Sequence, residues 1–66
     1  MNKFCEILKQ VRVDKGLAQK QVADALNVSE SGYAHWEQGR TEPNIEMLIN
    51  LADFFDISLD ELVGRE

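Results

Sequence analysis

Apolar residues recur along this 66-residue chain at helical spacing, three or four positions apart, and no segment alternates apolar and polar residues as a strand does. The pattern predicts five short helices with short connections between them. Their inward positions are Phe4, Ile7, Leu8 and Val11; Val22, Ala23 and Leu26; Tyr33, Trp36 and Glu37; and Ile45, Leu48, Leu51, Ala52 and Phe55. The fifth helix carries Leu59, Leu62 and Val63, which are more apolar residues than one small core requires. The expected fold class is all-α, with five helices around one core in a single domain that spans residues 1–66.

Polar residues and glycines mark the ends of these helices. Asn27 tolerates the left-handed conformation that closes the second helix, and Gly39 ends the third. Ser29 is a suitable N-cap for the third helix, and the pair Pro43–Asn44 opens the fourth. The run Ser58–Glu61 has the pattern of a capping box for the fifth helix.

The second and third predicted helices match a helix-turn-helix arrangement. Ala23 is small enough for the third helix to cross close to the second, and Asn27 suits the tight turn between them. The apolar residues expected inside the angle between the two helices are Val22, Leu26, Val28, Tyr33 and Trp36. An ordinary helix pair in a small bundle would not require this agreement of small, turn and apolar positions.

The segment LAQKQVADALNVSESGYAHWEQGRTEPNIEMLINLADFFDISLDELVG resembles the lambda-repressor-like, Xre/Cro-type family of helix-turn-helix regulators. The most specific motifs are Leu-x-Gln-x-x-x-Ala from Leu17, Trp-Glu-x-Gly from Trp36, and Ile-Ser-Leu-Asp-Glu-Leu from Ile57. Phe4 to Lys15 match the family's first helix. The resemblance implies a lambda-repressor-like fold and binding to double-stranded DNA as a homodimer, usually to repress transcription.

The chain departs from the family pattern at three positions. Ala18 stands where the family usually has Ser or Thr, so the second helix lacks an N-cap, at a cost of about 1 kcal/mol. Asp56 occupies the place of the usual helix-ending glycine. Gly32 lies inside the third helix, which costs roughly 1 kcal/mol relative to Ala. Either this loss of helix stability at Gly32 is simply tolerated, or the glycine allows the backbone to come close to DNA.

The third helix is expected to lie in the major groove with its outward face against the bases. Base edges are read by hydrogen bonds and methyl contacts, so this helix does not have to be basic. The candidate base contacts are Glu30, Ser31, Ala34 and His35. The candidate phosphate contacts are Gln19, Lys20, Gln38, Arg40 and Thr41. Gln19 matches a position at which this family clamps the DNA backbone and sometimes contacts a base.

Two further sets of residues are expected to hold the structure together, one within the domain and one between two copies of it. The resemblance implies that Arg12 and Glu37 form an ion pair between the first and third helices. Phe54 and Phe55 point about 100° apart on a helix, so Phe54 is expected to lie partly outside the core. An exposed aromatic beside surplus apolar residues favours an interaction surface. The expected homodimer interface contains Phe54, Ile57, Leu59 and Val63.

Charge is distributed unevenly, within a formal net charge of −5. Residues 1–40 contain six basic and five acidic residues, whereas residues 41–66 contain Arg65 and seven acidic residues. Two interpretations remain open. Either the first part meets the anionic partner, or the acidic residues are simply solvated helix surface.

Composition also limits the possible functions. One His and one Cys do not supply a zinc site of the usual type, and no nucleophile–base pair or glycine-rich phosphate loop is present. We therefore expect no enzymatic activity, metal, cofactor or small-molecule ligand domain. The expected location is the cytoplasm, at the nucleoid, with no membrane association. The alternative function is an antitoxin-like or adaptor module that binds a second regulatory protein through the same fold.

Overall fold

A computed structural model describes residues 3–65, and the helices in this range are the five that the sequence predicts. They are α1 (Phe4–Asp14), α2 (Gln19–Leu26), α3 (Glu30–Gln38), α4 (Ile45–Phe55) and α5 (Leu59–Val63). No strand occurs among the described residues. The all-α fold class is confirmed.

The helix ends follow the residues that mark them in the sequence. Asn27 and Asp56 adopt left-handed conformations with φ of 64° and 58°, and Gly39 does so at 75°. Ser29 Oγ accepts a hydrogen bond from Gly32 N at 3.0 Å, which caps α3. Asn44 caps α4 in the same way, through Met47 N at 2.8 Å. The turns are therefore specified by local chemistry.

Two helix starts differ in how completely they are capped. At α5, Ser58 Oγ accepts from Glu61 N at 3.0 Å, and the Glu61 carboxylate returns to Ser58 N at 3.4 Å, which confirms the capping box. At α2, Ala18 offers no side-chain acceptor, and only the returning half exists: Gln21 Oε1 accepts from Ala18 N at 2.7 Å. The start of α2 thus has half a capping box.

The core draws on all five helices. Its side chains are buried in agreement with the apolar pattern, and they are Phe4, Leu8, Val22, Ala23, Tyr33, Leu48, Leu51, Ala52, Phe55 and Leu62. Leu26, Val28 and Trp36 are partly buried against this cluster, as expected for residues in the angle between α2 and α3.

One predicted core position is wrong. Ile45 is 75% exposed, although its spacing from Leu48 assigns it to the inward face of α4. Ile45 is the first residue of α4, and the buried face of that helix begins one turn later, at Leu48. Periodicity gives the direction of a side chain but does not show where along the helix the core ends.

Candidate nucleic-acid interface

The α2–α3 pair has the close crossing that its sequence requires. Ala23 is completely buried, and its carbonyl accepts a hydrogen bond from Val28 N at 3.0 Å. The chain then passes through Asn27 and enters α3 at the Ser29 cap. The turn at Asn27 and the cap at Ser29 together determine the direction in which α3 runs after α2.

The inward face of α3 is the one that the sequence predicts. Tyr33 is fully buried and the Glu37 side chain is 3% exposed. Trp36 is half-buried, and its ring meets that of Tyr33 edge-on, with centroids 5.8 Å apart. Two aromatic side chains and one buried carboxylate therefore hold this face against the domain.

The opposite face of α3 is open to solvent. Glu30, Ser31 and Gln38 are exposed, whereas Ala34 and His35 are half-buried. Small or uncharged side chains predominate on this face, so the helix backbone is accessible to a closely approaching surface. All four candidate base contacts lie on α3 with at least part of the side chain accessible.

The exposed candidate phosphate contacts lie at the start of α2 and around the end of α3. Lys20 lies in the first turn of α2, and Gln38, Arg40 and Thr41 lie at and just beyond the end of α3; all four are exposed. Lys20 Nζ lies 3.3 Å from Asp24 Oδ2, with both side chains about two-thirds exposed. Such a surface pair is weak and does not prevent Lys20 from contacting an anion.

Arg12 and Glu37 form the ion pair that the resemblance implies. Arg12 Nε donates to Glu37 Oε2 at 2.6 Å, and Nη2 donates to Oε1 at 3.0 Å. The third guanidinium nitrogen, Nη1, donates to the Leu17 carbonyl at 2.7 Å. The Arg12 side chain is 12% exposed, so its guanidinium links α1 to α3 and to the entry of α2 and is not free for phosphate.

Two more donors complete the environment of the Glu37 carboxylate. Tyr33 Oη donates to Oε2 at 2.6 Å, and Gln19 Nε2 donates to Oε1 at 3.1 Å. Burial raises the pKa of Glu37, but the hydrogen bonds from Arg12, Tyr33 and Gln19 outweigh it, so this pKa lies below its ordinary value. Burial and the adjacent carboxylate both raise the pKa of Tyr33. Glu37 is therefore ionised and Tyr33 neutral near pH 7.

The sequence pattern does not predict the polar roles of Tyr33 and Gln19 at this carboxylate. It predicts Tyr33 in the apolar core, although the position of Tyr33 four residues before Glu37 places both on one face of a helix and is a usable signal. The predicted role of Gln19 is phosphate contact. Its bond to Glu37 spans 18 positions and depends on the helix crossing, for which the sequence has no local signal.

The candidate dimer residues lie on α4, on α5 and between these two helices, and each is at least partly accessible. Phe54 and Leu59 are each 39% exposed, and Ile57 and Val63 are half-buried. The Phe54 ring packs edge-on against Phe55, with centroids 5.0 Å apart. The expectation that Phe54 lies partly outside the core is confirmed.

The described residues contain neither a metal-binding cluster nor a membrane-spanning helix. No three His, Cys, Asp or Glu side chains in residues 3–65 are grouped so as to hold a metal ion. No helix in that part of the chain is long and apolar enough to span a bilayer.

Comparison with known proteins identifies the family. A family model described as helix-turn-helix matches residues 8–62. The chain is 41% identical over 63 residues to the HTH-type transcriptional activator BcrR of Enterococcus faecalis, covering 96% of this chain and 31% of that protein. It is 38% identical over 63 residues to the cryptic phage CTXphi transcriptional repressor RstR of Vibrio cholerae, covering 96% of this chain and 56% of RstR.

A solved structure agrees with these sequence matches. The crystal structure of a transcriptional regulator from Listeria innocua superposes with a TM-score of 0.87 at 44% identity, covering 92% of this chain and 57% of that one. The chain thus spans between about a third and somewhat more than half of the length of these relatives. It belongs to the lambda-repressor-like, Xre/Cro-type family of helix-turn-helix transcriptional regulators, which are non-enzymatic DNA-binding proteins.

Proposed function

We propose that residues 1–66 act as a single DNA-binding domain that recognises a two-fold-symmetric operator as a homodimer and represses transcription. The observation that carries the proposal is the contrast between the two faces of α3. One face is held by the buried Glu37 carboxylate and its donors, while the other presents small polar side chains to solvent. A rigidly supported helix with an open outer face suits insertion into the major groove.

Base recognition in this proposal comes from the outer face of α3. Ser31 donates to or accepts from several bases, and Glu30 accepts from the amino group of cytosine. Ala34 packs on a thymine methyl, and His35 donates to guanine. Ser31 and Ala34 have short side chains, so the helix has to lie deep in the groove for them to reach the base edges.

Phosphate contact in this proposal comes from residues that border α3. Lys20 and Arg40 supply positive charge, and Gln38 and Thr41 supply neutral donors. Two cations per domain are few, so we expect a shallow dependence of affinity on salt. The acidic residues beyond Thr41 repel DNA that approaches in other orientations.

The domain's size supports a dimer. Its longest principal dimension is 28 Å, whereas successive major grooves on one side of B-DNA are about 34 Å apart. One domain therefore reads one half-site. A two-fold contact through Phe54, Ile57, Leu59 and Val63 would use the same patch on both copies. Because DNA is the proposed partner, we also propose that the protein acts in the cytoplasm, at the nucleoid.

Repression is the regulatory outcome that we propose, and the similarity to RstR, which is named a repressor, supports it. BcrR is named an activator, so the family fold serves both outcomes. The exposure of Ile45 and Ile49, at 75% and 43%, on the acidic part of the chain favours a second candidate function, the binding of another regulatory protein.

The test is selection of duplexes from a random pool, followed by titration of the enriched site and a scrambled duplex at the same salt concentration. We expect a two-fold-related enriched site and affinity for it at least about 1,000-fold above that for the scrambled duplex. Equal affinity for the two duplexes contradicts DNA recognition and leaves the protein-binding function.

A further inference from the structure

Two isoleucines form an apolar row on the exposed side of α4. Ile45 and Ile49 are 75% and 43% exposed, and their spacing of four places them on neighbouring turns of one helix face. Neither belongs to the buried core or to the partly buried side chains that pack against it. Adjacent apolar side chains left in solvent favour contact with another macromolecule.

This row faces away from the proposed dimer surface. Phe54 follows Ile49 by five positions and Ile45 by nine on the same helix. At 3.6 residues per turn, these separations correspond to rotations of about 140° and about 180° around the axis of α4. The isoleucine row and the Phe54 surface are therefore separate, and a partner bound to the row does not compete with dimerisation through Phe54.

Carboxylates border the same row. Asp53 lies four positions after Ile49 and Glu46 lies three before it, so both are neighbours of Ile49 on the surface of α4. Both acidic residues are exposed. Neither α4 nor α5 contains a basic residue that could neutralise them from within the helix or from the next one. This side of α4 is thus apolar along one edge and negative along the other.

The charge of this surface selects among possible occupants. DNA and anionic lipid are negatively charged and are repelled by it. A second copy of the chain in a two-fold contact would bring the same patch against itself, so that carboxylates would face carboxylates. A protein segment with lysines or arginines beside apolar residues complements both edges. An amphipathic helix presents such stripes side by side along its length.

We propose that this side of α4 is a docking surface for a basic amphipathic helix of another protein. The surface consists of Ile45, Glu46, Ile49 and Asp53. From Ile45 to Asp53 it extends over about 12 Å, a length that two turns of a partner helix cover. Apolar side chains of the partner cover the two isoleucines, and its lysines or arginines pair with Glu46 and Asp53. The inference goes beyond DNA recognition, since it names the chemistry of a second macromolecular partner.

The test titrates the domain, without DNA, with a synthetic helical peptide of leucine and lysine whose leucines lie on one face. One control peptide has the same composition in an order without an apolar face, and another has glutamate in place of lysine. Calorimetry measures affinity, and backbone amide NMR shifts locate the site. We expect only the first peptide to bind, more weakly at higher salt, with the largest shifts between Ile45 and Asp53.

Variants of exposed residues separate this surface from general attraction to an acidic protein. Ile45→Gln should weaken binding of the lysine–leucine peptide about 10-fold, because one apolar contact is lost. Asp53→Asn should weaken it roughly 3-fold, as expected for a surface ion pair. The matched controls are Val13→Gln on α1 and Asp60→Asn on α5, which are equally exposed positions outside the surface and should leave the affinity unchanged.

Three results would overturn the docking surface: no binding of the lysine–leucine peptide, equal binding of all three peptides, or equal losses in the control variants and in Ile45→Gln and Asp53→Asn. NMR shifts centred on Phe54 would also overturn it, because they would place the peptide on the opposite side of α4. Each of these outcomes leaves the proposed function intact, since the titration contains no DNA.

Discussion

Arg12 holds Glu37 through two hydrogen bonds, of 2.6 and 3.0 Å, although the two residues are 25 positions apart in the chain. These bonds join α1 to α3 and so fix α3 to the first helix of the domain. Neither side chain is more than 12% exposed. Loss of one partner leaves the other charge buried without its counterion.

Arg12→Met and Glu37→Gln should therefore each lower the free energy of unfolding, by up to about 3–5 kcal/mol. The double variant should be destabilised by less than the sum of the two single effects, because the second substitution removes the stranded charge. Urea unfolding of the four proteins measures the coupling. Additive effects would show that the two side chains act independently and would make Arg12 a candidate for phosphate contact.

Acid should lower the free energy of unfolding of the domain, because it protonates the Glu37 carboxylate. The pKa of Glu37 in the folded protein is lower than its ordinary value of 4.5, so its contribution to stability is complete above that pH. The contribution is lost as the pH falls from about 4.5 through the folded pKa. The free energy of unfolding, measured by urea titration at a series of pH values, should fall more steeply in this window for wild type than for Glu37→Gln. Equal slopes would contradict this account.

Ala18→Ser should stabilise the domain by about 1 kcal/mol. Gln21 already supplies the returning half of a capping box at α2, so a serine hydroxyl completes it without any change of backbone. Thermal unfolding of Ala18→Ser and of the control Ala18→Val measures the gain. A comparable gain in the valine variant would indicate that capping is not its source.

Different substitutions on the proposed DNA-binding face should alter base specificity and overall affinity separately. Ser31→Ala should change the preferred base at one position of the enriched site, because Ser31 lies on the outer face of α3. Arg40→Ala should weaken binding to all duplexes and reduce the salt slope by about one. Lys9→Ala, an exposed cation on α1, is the matched control. If Ser31→Ala alters neither preference nor affinity, a different face of α3 enters the groove.

Dimerisation should depend on Phe54. We expect wild type to sediment as a dimer at high concentration and Phe54→Glu to remain a monomer, because the new charge would be buried between two copies. Val13→Glu is the control, since Val13 is 52% exposed on α1 and lies outside the proposed interface. A wild type that stays monomeric excludes this interface.

Sequence patterns predicted local structure better than they predicted the contacts between helices. Asn27, Ser29 and the Ser58–Glu61 box act on neighbours within a few positions, so their roles follow from residue type alone. The prediction that Ile45 faces the core is wrong because helical periodicity contains no information on where neighbouring elements end. The partner of Gln19 depends on the angle at which α2 meets α3, which is a property of the packed domain.

The cap of α3 also bears on how this domain can be engineered. Replacing a helical glycine by alanine ordinarily stabilises a protein by roughly 0.5–1 kcal/mol. At Gly32 the added methyl group would lie 2.9 Å from Ser29 Oγ, which is the end of a rotatable side chain and needs only a small shift. Ser58 caps the N–H of Glu61 at the same spacing, at 3.0 Å, although Glu61 carries a full side chain. The serine cap and an alanine at position 32 are therefore compatible, and this helix can be stiffened by changing one residue.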